Sequence, residues 1–268
     1  MTRPDMNRYE DAWTAEIYDF EQARDWGDRD LPFYLGLAAK FPGPVWELAC
    51  GTGRVTLPLA RKGVEVTGLD ISPNMLGVAR QKLAAEEPAV QSRVQLVAGD
   101  MCAFDLGKRF ALIAIPFRAF QALLTRDEHR GCLRCCRDHQ LPDGRLAIDV
   151  FNPRLSRLVQ GEVQGELPEG PDEFAGPAGA RVTWSAVTSF DLRDQRLHGD
   201  WRYECLSATG EKTVSEHVLE MHYFFRFEME WMLEACGFEV EALYGNFDRS
   251  AFTAESPEMI FVARRRAG

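Results

Sequence analysis

The sequence predicts an α/β fold, a doubly wound sheet carrying a small antiparallel insertion, and three observations predict it. Short apolar strands alternate with helices between residues 45 and 151, a glycine-rich turn joins the first strand to the first of these helices, and the rhythm changes to period two after Pro153. Strands separated by helices in this way imply right-handed crossovers and a mainly parallel sheet.

The elements follow in order. Residues 11–20 and 31–41 have helical character, and VWELA from Val45 reads as a short buried strand before a helix over residues 54–62. Residues 64–69 form a strand, and a helix spans residues 73–86, with Ser72 as its cap and Pro73 at its first position. Residues 94–98 and 110–115 are further strands. A helix over residues 125–140 opens on the capping-box pair Thr125 and Glu128, and residues 145–151 return to strand.

Residues 161–180 hold five glycines, three prolines and five acidic side chains, which predicts a long mobile loop. Beyond it, Val182, Trp184, Ala186, Thr188 and Phe190 share one strand face, and Leu197, Trp201, Tyr203 and Cys205 share another. With a third candidate over residues 213–224, these predict an antiparallel three-stranded sheet. The chain closes with a helix over 227–236 ended by Gly237 and strands over 239–244 and 259–263. The predicted domains are a ligand-binding core of residues 1–153 and 224–268, with a helical N-terminal cap, and a β lid of residues 154–223.

Composition narrows the partners. The net charge of −10 opposes binding to a phosphate backbone, and the only basic run, Arg264–Arg266, reads as a solvated tail. No apolar run reaches the ~20 residues a membrane-spanning helix needs, and the first residues lack a secretory pattern. The expectation is a cytoplasmic monomer or homodimer with a small-molecule partner, without nucleic acid or membrane. Seven cysteines suit reduced thiols. Cys132, Cys135, Cys136 and His139 share a helix face, yet structural zinc sites draw on two separated pairs, so the cluster reads as packing and no metal is expected.

Chemistry concentrates at the strand ends. In Glu47-Leu-Ala49-Cys50-Gly51-Thr-Gly53-Arg54, the two glycines permit a tight turn and close approach of a ligand, where open α/β sheets bind. Seventeen residues past Gly53 the next strand ends in Asp70, whose carboxylate can accept both hydroxyls of a ribose. The third strand ends at Gly99-Asp100-Met101, where a carboxylate and an apolar side chain can hold and cover an adenine.

ELACGTGR, then GLDIS with Met75, then AGDM resemble the successive motifs of class I S-adenosylmethionine-dependent methyltransferases. The resemblance runs from about Tyr18 to Pro153 and resumes from Phe224. It implies S-adenosyl-L-methionine as cofactor and a Rossmann-like core with strand order 3-2-1-4-5-7-6, the last strand antiparallel. It implies Glu47 and the loop Ala49, Cys50, Gly51 and Gly53 at the methionine half, and Asp70 on the ribose. It implies Ile71 and Met75 on the adenine, and Asp100 and Met101 near its amino group.

Methyl transfer from a sulfonium is an in-line displacement, so the acceptor atom must be aligned near attack distance and stripped of water. The expected walls are the ends of the fourth and fifth strands. Pro116 is assigned to the cofactor, and Phe117, Arg118, Gln121 and Asn152 to a small-molecule acceptor that takes the methyl on N or O. Arg118 is suited to an anionic group of the acceptor. Trp184, Trp201 and Tyr203 either roof the site or form the insertion's own core. Tyr18 lies in Ala15-Glu16-Ile17-Tyr18-Asp19, which resembles a segment folding over the cofactor in related enzymes, and is expected at the methionyl group or packed on its own helix. His222, beside Tyr223, is the candidate general base, although an amine acceptor needs none.

Two rival readings stand beside this one. A nicotinamide oxidoreductase shares the strand–glycine turn–helix start, but its third small residue is replaced here by Thr56. A cofactor-binding regulator without catalysis is the other.

Overall fold

The computed structural model describes residues 12–266; Asp11, the expected start of the first helix, lies outside them. The chain gathers into two compact units. One holds the described residues up to Asp28 with Pro153–His222, and the other Arg29–Asn152 with the chain from Tyr223 onward.

After α1 (Ala12–Asp25), which belongs to the first unit, the chain builds the larger one. Its elements are α2 (Leu31–Lys40), β1 (Val45–Leu48), α3 (Thr56–Arg61), β2 (Val66–Asp70), α4 (Pro73–Ala84), α5 (Pro88–Gln91), β3 (Val94–Ala98), β4 (Phe110–Ile115), α6 (Arg126–His139) and β5 (Gln140–Phe151). The chain then leaves for the smaller unit through α7 (Leu155–Gln164), β6 (Leu167–Ala175), β7 (Arg181–Asp191), β8 (Arg196–Leu206) and β9 (Lys212–His222). It returns for α8 (Arg226–Ala235), β10 (Phe238–Tyr244) and β11 (Glu258–Arg265).

The larger sheet has the order β10-β11-β5-β4-β1-β2-β3, which is the order the family resemblance implies. β1 pairs in parallel with β2 and β4, whereas β11 runs antiparallel to both β5 and β10. Every residue of β1, β2 and β4 is buried, as in a sheet covered on both faces, whereas the edge strands β3 and β10 are partly exposed. Ser72 caps α4 by accepting the Met75 N–H at 3.2 Å, and Thr125 and Glu128 form the complete capping box of α6.

On α6, Cys132 and Cys136 pack into the core with Trp46, Leu133 and Phe110. His139 donates through Nδ1 to the Cys135 carbonyl at 2.8 Å, which leaves Nε2 to accept the Leu106 N–H at 3.0 Å. Packing and main-chain bonds therefore occupy the Cys132–His139 face.

The smaller unit corrects the expectation of a loop over residues 161–180. α7 reaches into that stretch, and β6 adds a fourth strand, giving β6-β7-β8-β9. Glycine and proline density suggested a loop, but β6 lies at the sheet's edge, where prolines Pro168 and Pro171 are tolerated, and its register shifts between Glu169 and Asp172. Leu167 and Phe174 anchor it by burial. Phe174, Val182, Trp184, Ala186 and Tyr203 form one apolar cluster with Ile17 of α1, and Trp201 packs against it. Of the two readings given to these aromatics, the structure supports a core. Tyr203 also donates its hydroxyl to buried Glu21 at 2.6 Å. Among the described residues no helix is long and apolar enough to cross a membrane.

Candidate active site

The carboxyl ends of β1, β2, β3 and β4 converge on one edge of the larger sheet. The turn after β1 contains three left-handed residues, Ala49 (φ 53°), Gly51 (φ 55°) and Gly53 (φ 83°). Glycine adopts this geometry without penalty, whereas Ala49 is strained by roughly 1–2 kcal/mol. The Cys50 N–H bonds the Leu69 carbonyl at 3.0 Å and ties the turn to β2.

Asp70 completes that tie. One carboxylate oxygen accepts the Gly51 N–H at 2.7 Å and the other the Ser72 N–H at 2.8 Å. Burial pushes its pKa up, and the N–H groups of Ser72, Gly51 and Ile71 pull it back down. Beside it the Ile71 side chain is 41% exposed, while Met75 is buried at the start of α4. On the adjacent strand end, Asp100 accepts the Cys102 N–H at 2.9 Å, and Met101 lies half-buried against the core.

Glu47 is buried on β1 and accepts the hydroxyl of Thr56. Burial raises its pKa to about 8, with the Thr56 bond and the Arg54 charge opposing the rise. Thus Thr56, which breaks the nicotinamide fingerprint, is the partner of the glutamate before the turn. The donor set suits an adenosyl amino acid. It offers carboxylates at two neighbouring strand ends, an exposed apolar side chain beside one of them, and a turn that brings backbone close to a ligand.

At β4 and β5 the structure adds a network that sequence reasoning missed. Phe117 and Arg118 are both left-handed, at φ 56° and 61°. Their N–H groups donate to the two oxygens of buried Asp149, at 3.0 and 2.9 Å, and the buried Tyr34 hydroxyl donates to the same carboxylate. The Arg118 guanidinium is paired with Glu258, and the Phe117 ring lies 5.5 Å from the Arg54 guanidinium. Arg54 in turn grips Asp30 with two bonds of 2.6 Å. Pro116 is buried, Gln121 accepts the Phe151 N–H at 2.9 Å, and Asn152 donates to the carbonyls of Ala254 and Ser256. The lone carboxylate within the apolar run LAIDVF was the available signal for Asp149.

The remaining candidates lie elsewhere along the chain. His222 ends β9 opposite Arg196, and Tyr18 sits on α1 at 9% exposure, both in the smaller unit. Tyr223, buried, starts the return into the larger unit, and its ring meets that of Phe225 edge-on.

Comparison with known proteins agrees with this geometry. Residues 45–144 match the methyltransferase domain family. The chain is 34% identical over 239 residues to the dTDP-3-amino-3,6-dideoxy-alpha-D-glucopyranose N,N-dimethyltransferase of Streptomyces fradiae, covering 86% of each protein. The solved CcbJ methyltransferase from Streptomyces caelestis superposes with a TM-score of 0.75 at 27% identity, over 96% of this chain and 100% of that one. The fold is shared too with the S-adenosylmethionine-bound amino pentose methyltransferase CalS10 from Micromonospora echinaspora, at a TM-score of 0.70 and 23% identity over 92% and 95% of the two chains. Both rival readings, oxidoreductase and non-catalytic regulator, give way. The chain belongs to the S-adenosylmethionine-dependent methyltransferases.

Proposed function

We propose that this methyltransferase acts on a small molecule and delivers the methyl group to an amine nitrogen carried on a sugar-like ring. The relative that shares 34% of its residues is named for dimethylation of an amino sugar, and this similarity covers 86% of both chains. The structural observation that carries the reading is the left-handed Phe117–Arg118 turn beyond β4, next to the glycine turn beyond β1, since β1 and β4 are neighbours. Backbone strain of this kind persists where surrounding contacts enforce it, and it concentrates at functional sites.

In this reading Asp70, Ile71, Met75, Asp100 and Met101 hold the adenosine half of the cofactor, and Glu47 with the Ala49–Gly53 turn and Pro116 flank the methionine half. When bound, S-adenosylmethionine supplies an electrophilic methyl group on a sulfonium. Phe117 walls the acceptor and excludes water, while Gln121 and Asn152 brace that wall through the bonds already described. Displacement at a methyl group is governed by alignment, so a rigid wall serves it better than a strongly charged one. An amine that arrives neutral attacks without a base, and His129, whose Nε2 bonds the Leu123 carbonyl at 2.8 Å, is a structural histidine. His222 with Tyr223 serves as base only for a hydroxyl acceptor, and Tyr18 is assigned to the methionyl end.

The test is mass-spectrometric. The protein is incubated with S-adenosylmethionine and either dTDP-3-amino-3,6-dideoxy-glucose or its 3-hydroxy counterpart. Methylation of the amine alone supports the reading; methylation of the hydroxyl compound alone replaces it with O-transfer. Modification of neither, with S-adenosylhomocysteine still bound, removes the amino sugar as acceptor.

A further inference from the structure

Two successive non-glycine residues in left-handed conformation are disfavoured, and something must hold them. For Phe117 and Arg118 that agent is a single carboxylate from the neighbouring strand. Asp149, fully buried on β5, gives one oxygen to the Phe117 N–H at 3.0 Å and the other to the Arg118 N–H at 2.9 Å. The Tyr34 hydroxyl, from α2, makes a third bond to the oxygen that serves Phe117. The side chains of the turn are fixed separately, Arg118 by Glu258 of β11 and Phe117 beside Arg54.

Only an ionised carboxylate accepts all three donors without a proton of its own in the way. Burial pushes Asp149 up to about 7, helped by the Glu258 charge and, to a smaller extent, that of Asp30. The Tyr34 hydroxyl and the Arg118 N–H pull it down. The bridge between β5 and the turn is therefore poised near neutral pH.

We propose that the ionised Asp149 carboxylate is a positioning group for methyl transfer, clamping the Phe117–Arg118 turn in the geometry that aligns the acceptor. Asp149 touches no reacting atom; it acts through the turn. The proposal rests on the reading that this turn borders the acceptor. Protonation of Asp149 puts a hydrogen where an N–H must donate, so the turn loosens on the acid side while the cofactor half of the site stays intact.

The test uses the full chain with S-adenosylmethionine and dTDP-3-amino-3,6-dideoxy-glucose as the acceptor probe, together with hydrogen exchange of the peptide covering residues 116–123. In the wild type, kcat should fall below about pH 7, and protection of that peptide should fall with it after correction for intrinsic exchange. Asp149→Asn should lower kcat by about 10²-fold, the scale of a small misalignment, with unchanged S-adenosylhomocysteine affinity and only the acid limb that the acceptor amine itself imposes by having to lose its proton. Tyr34→Phe removes a donor that favours the ionised form and should move the acid limb to higher pH. This variant and the wild-type profile decide the matter if Asp149→Asn does not fold. A kcat within about twofold of wild type in Asp149→Asn, an acid limb unmoved in Tyr34→Phe, or exchange in residues 116–123 independent of pH overturns the proposal. If the wild type binds S-adenosylhomocysteine but leaves the probe unmethylated, the acceptor reading fails, and the exchange data alone decide whether the clamp exists.

Discussion

Arg54 lies across Asp30 in a two-pronged ion pair, each bond 2.6 Å long, with the carboxylate wholly buried and the guanidinium nearly so. The pair links the residue just after the glycine turn to the start of α2. Breaking it from the arginine side strands a charge away from water. Arg54→Met should therefore cost about 3–5 kcal/mol, and the companion Asp30→Asn/Arg54→Met should recover part of it. Denaturant unfolding of the two variants checks this; equal stability of Arg54→Met and wild type would show that Asp30 finds another partner.

Glu47 predicts how stability follows pH. Its pKa rises from the ordinary 4.5 to about 8 on folding, so the folded chain holds this proton more tightly than the unfolded chain. The stabilisation is complete below about pH 4.5 and is lost progressively as pH rises towards 8. Glu47→Gln mimics the protonated form and still accepts from Thr56. Its melting temperature should match wild type near pH 5 and exceed it by roughly 5 °C near pH 9. Melting curves that stay parallel across that range would place the proton elsewhere.

Gly68 predicts a steric coupling. A Cβ added there would sit 2.9 Å from the Cys50 Sγ and 3.1 Å from a Leu96 methyl. Gly68→Ala should destabilise by about 1–3 kcal/mol and, by displacing Cys50, weaken S-adenosylhomocysteine binding. Adding Cys50→Ala should restore much of both. Calorimetric titration and thermal melts of the single and double variants measure it, and an affinity loss that the double variant keeps would rule out the route through Cys50.

What the sequence displayed and what it hid separate along a physical line. Local signals marked the proposed cofactor half: Gly51 and Gly53 lie in the turn after one strand and Asp70 closes the next, where the sequence pattern put them. Ser72 and Thr125 announced their helices through capping chemistry. Residues 161–180 misled because proline and glycine mark loops and edge strands alike, and only pairing with β7 distinguishes the two. The edge proposed for the acceptor was half visible. Phe117 and Arg118 were nominated from their place after a strand, but Tyr34, Asp149 and Glu258 come from three distant segments, and burial alone reveals them as one network. Arg118 was expected to be available for an anion and is instead paired with Glu258.

The reversal of β11 has a consequence for how such enzymes diversify. Because β11 runs against β5, the connection from β10, residues 245–257, falls on the same edge as the glycine turn. An all-parallel pair would instead need a crossover running from this edge to the opposite one. The reversal keeps both ends of that segment on one edge, so its length can change without shifting the register of β11 on β5, and Glu258, the first residue of β11, is held to Arg118. Insertions there lengthen a hairpin and leave the sheet untouched.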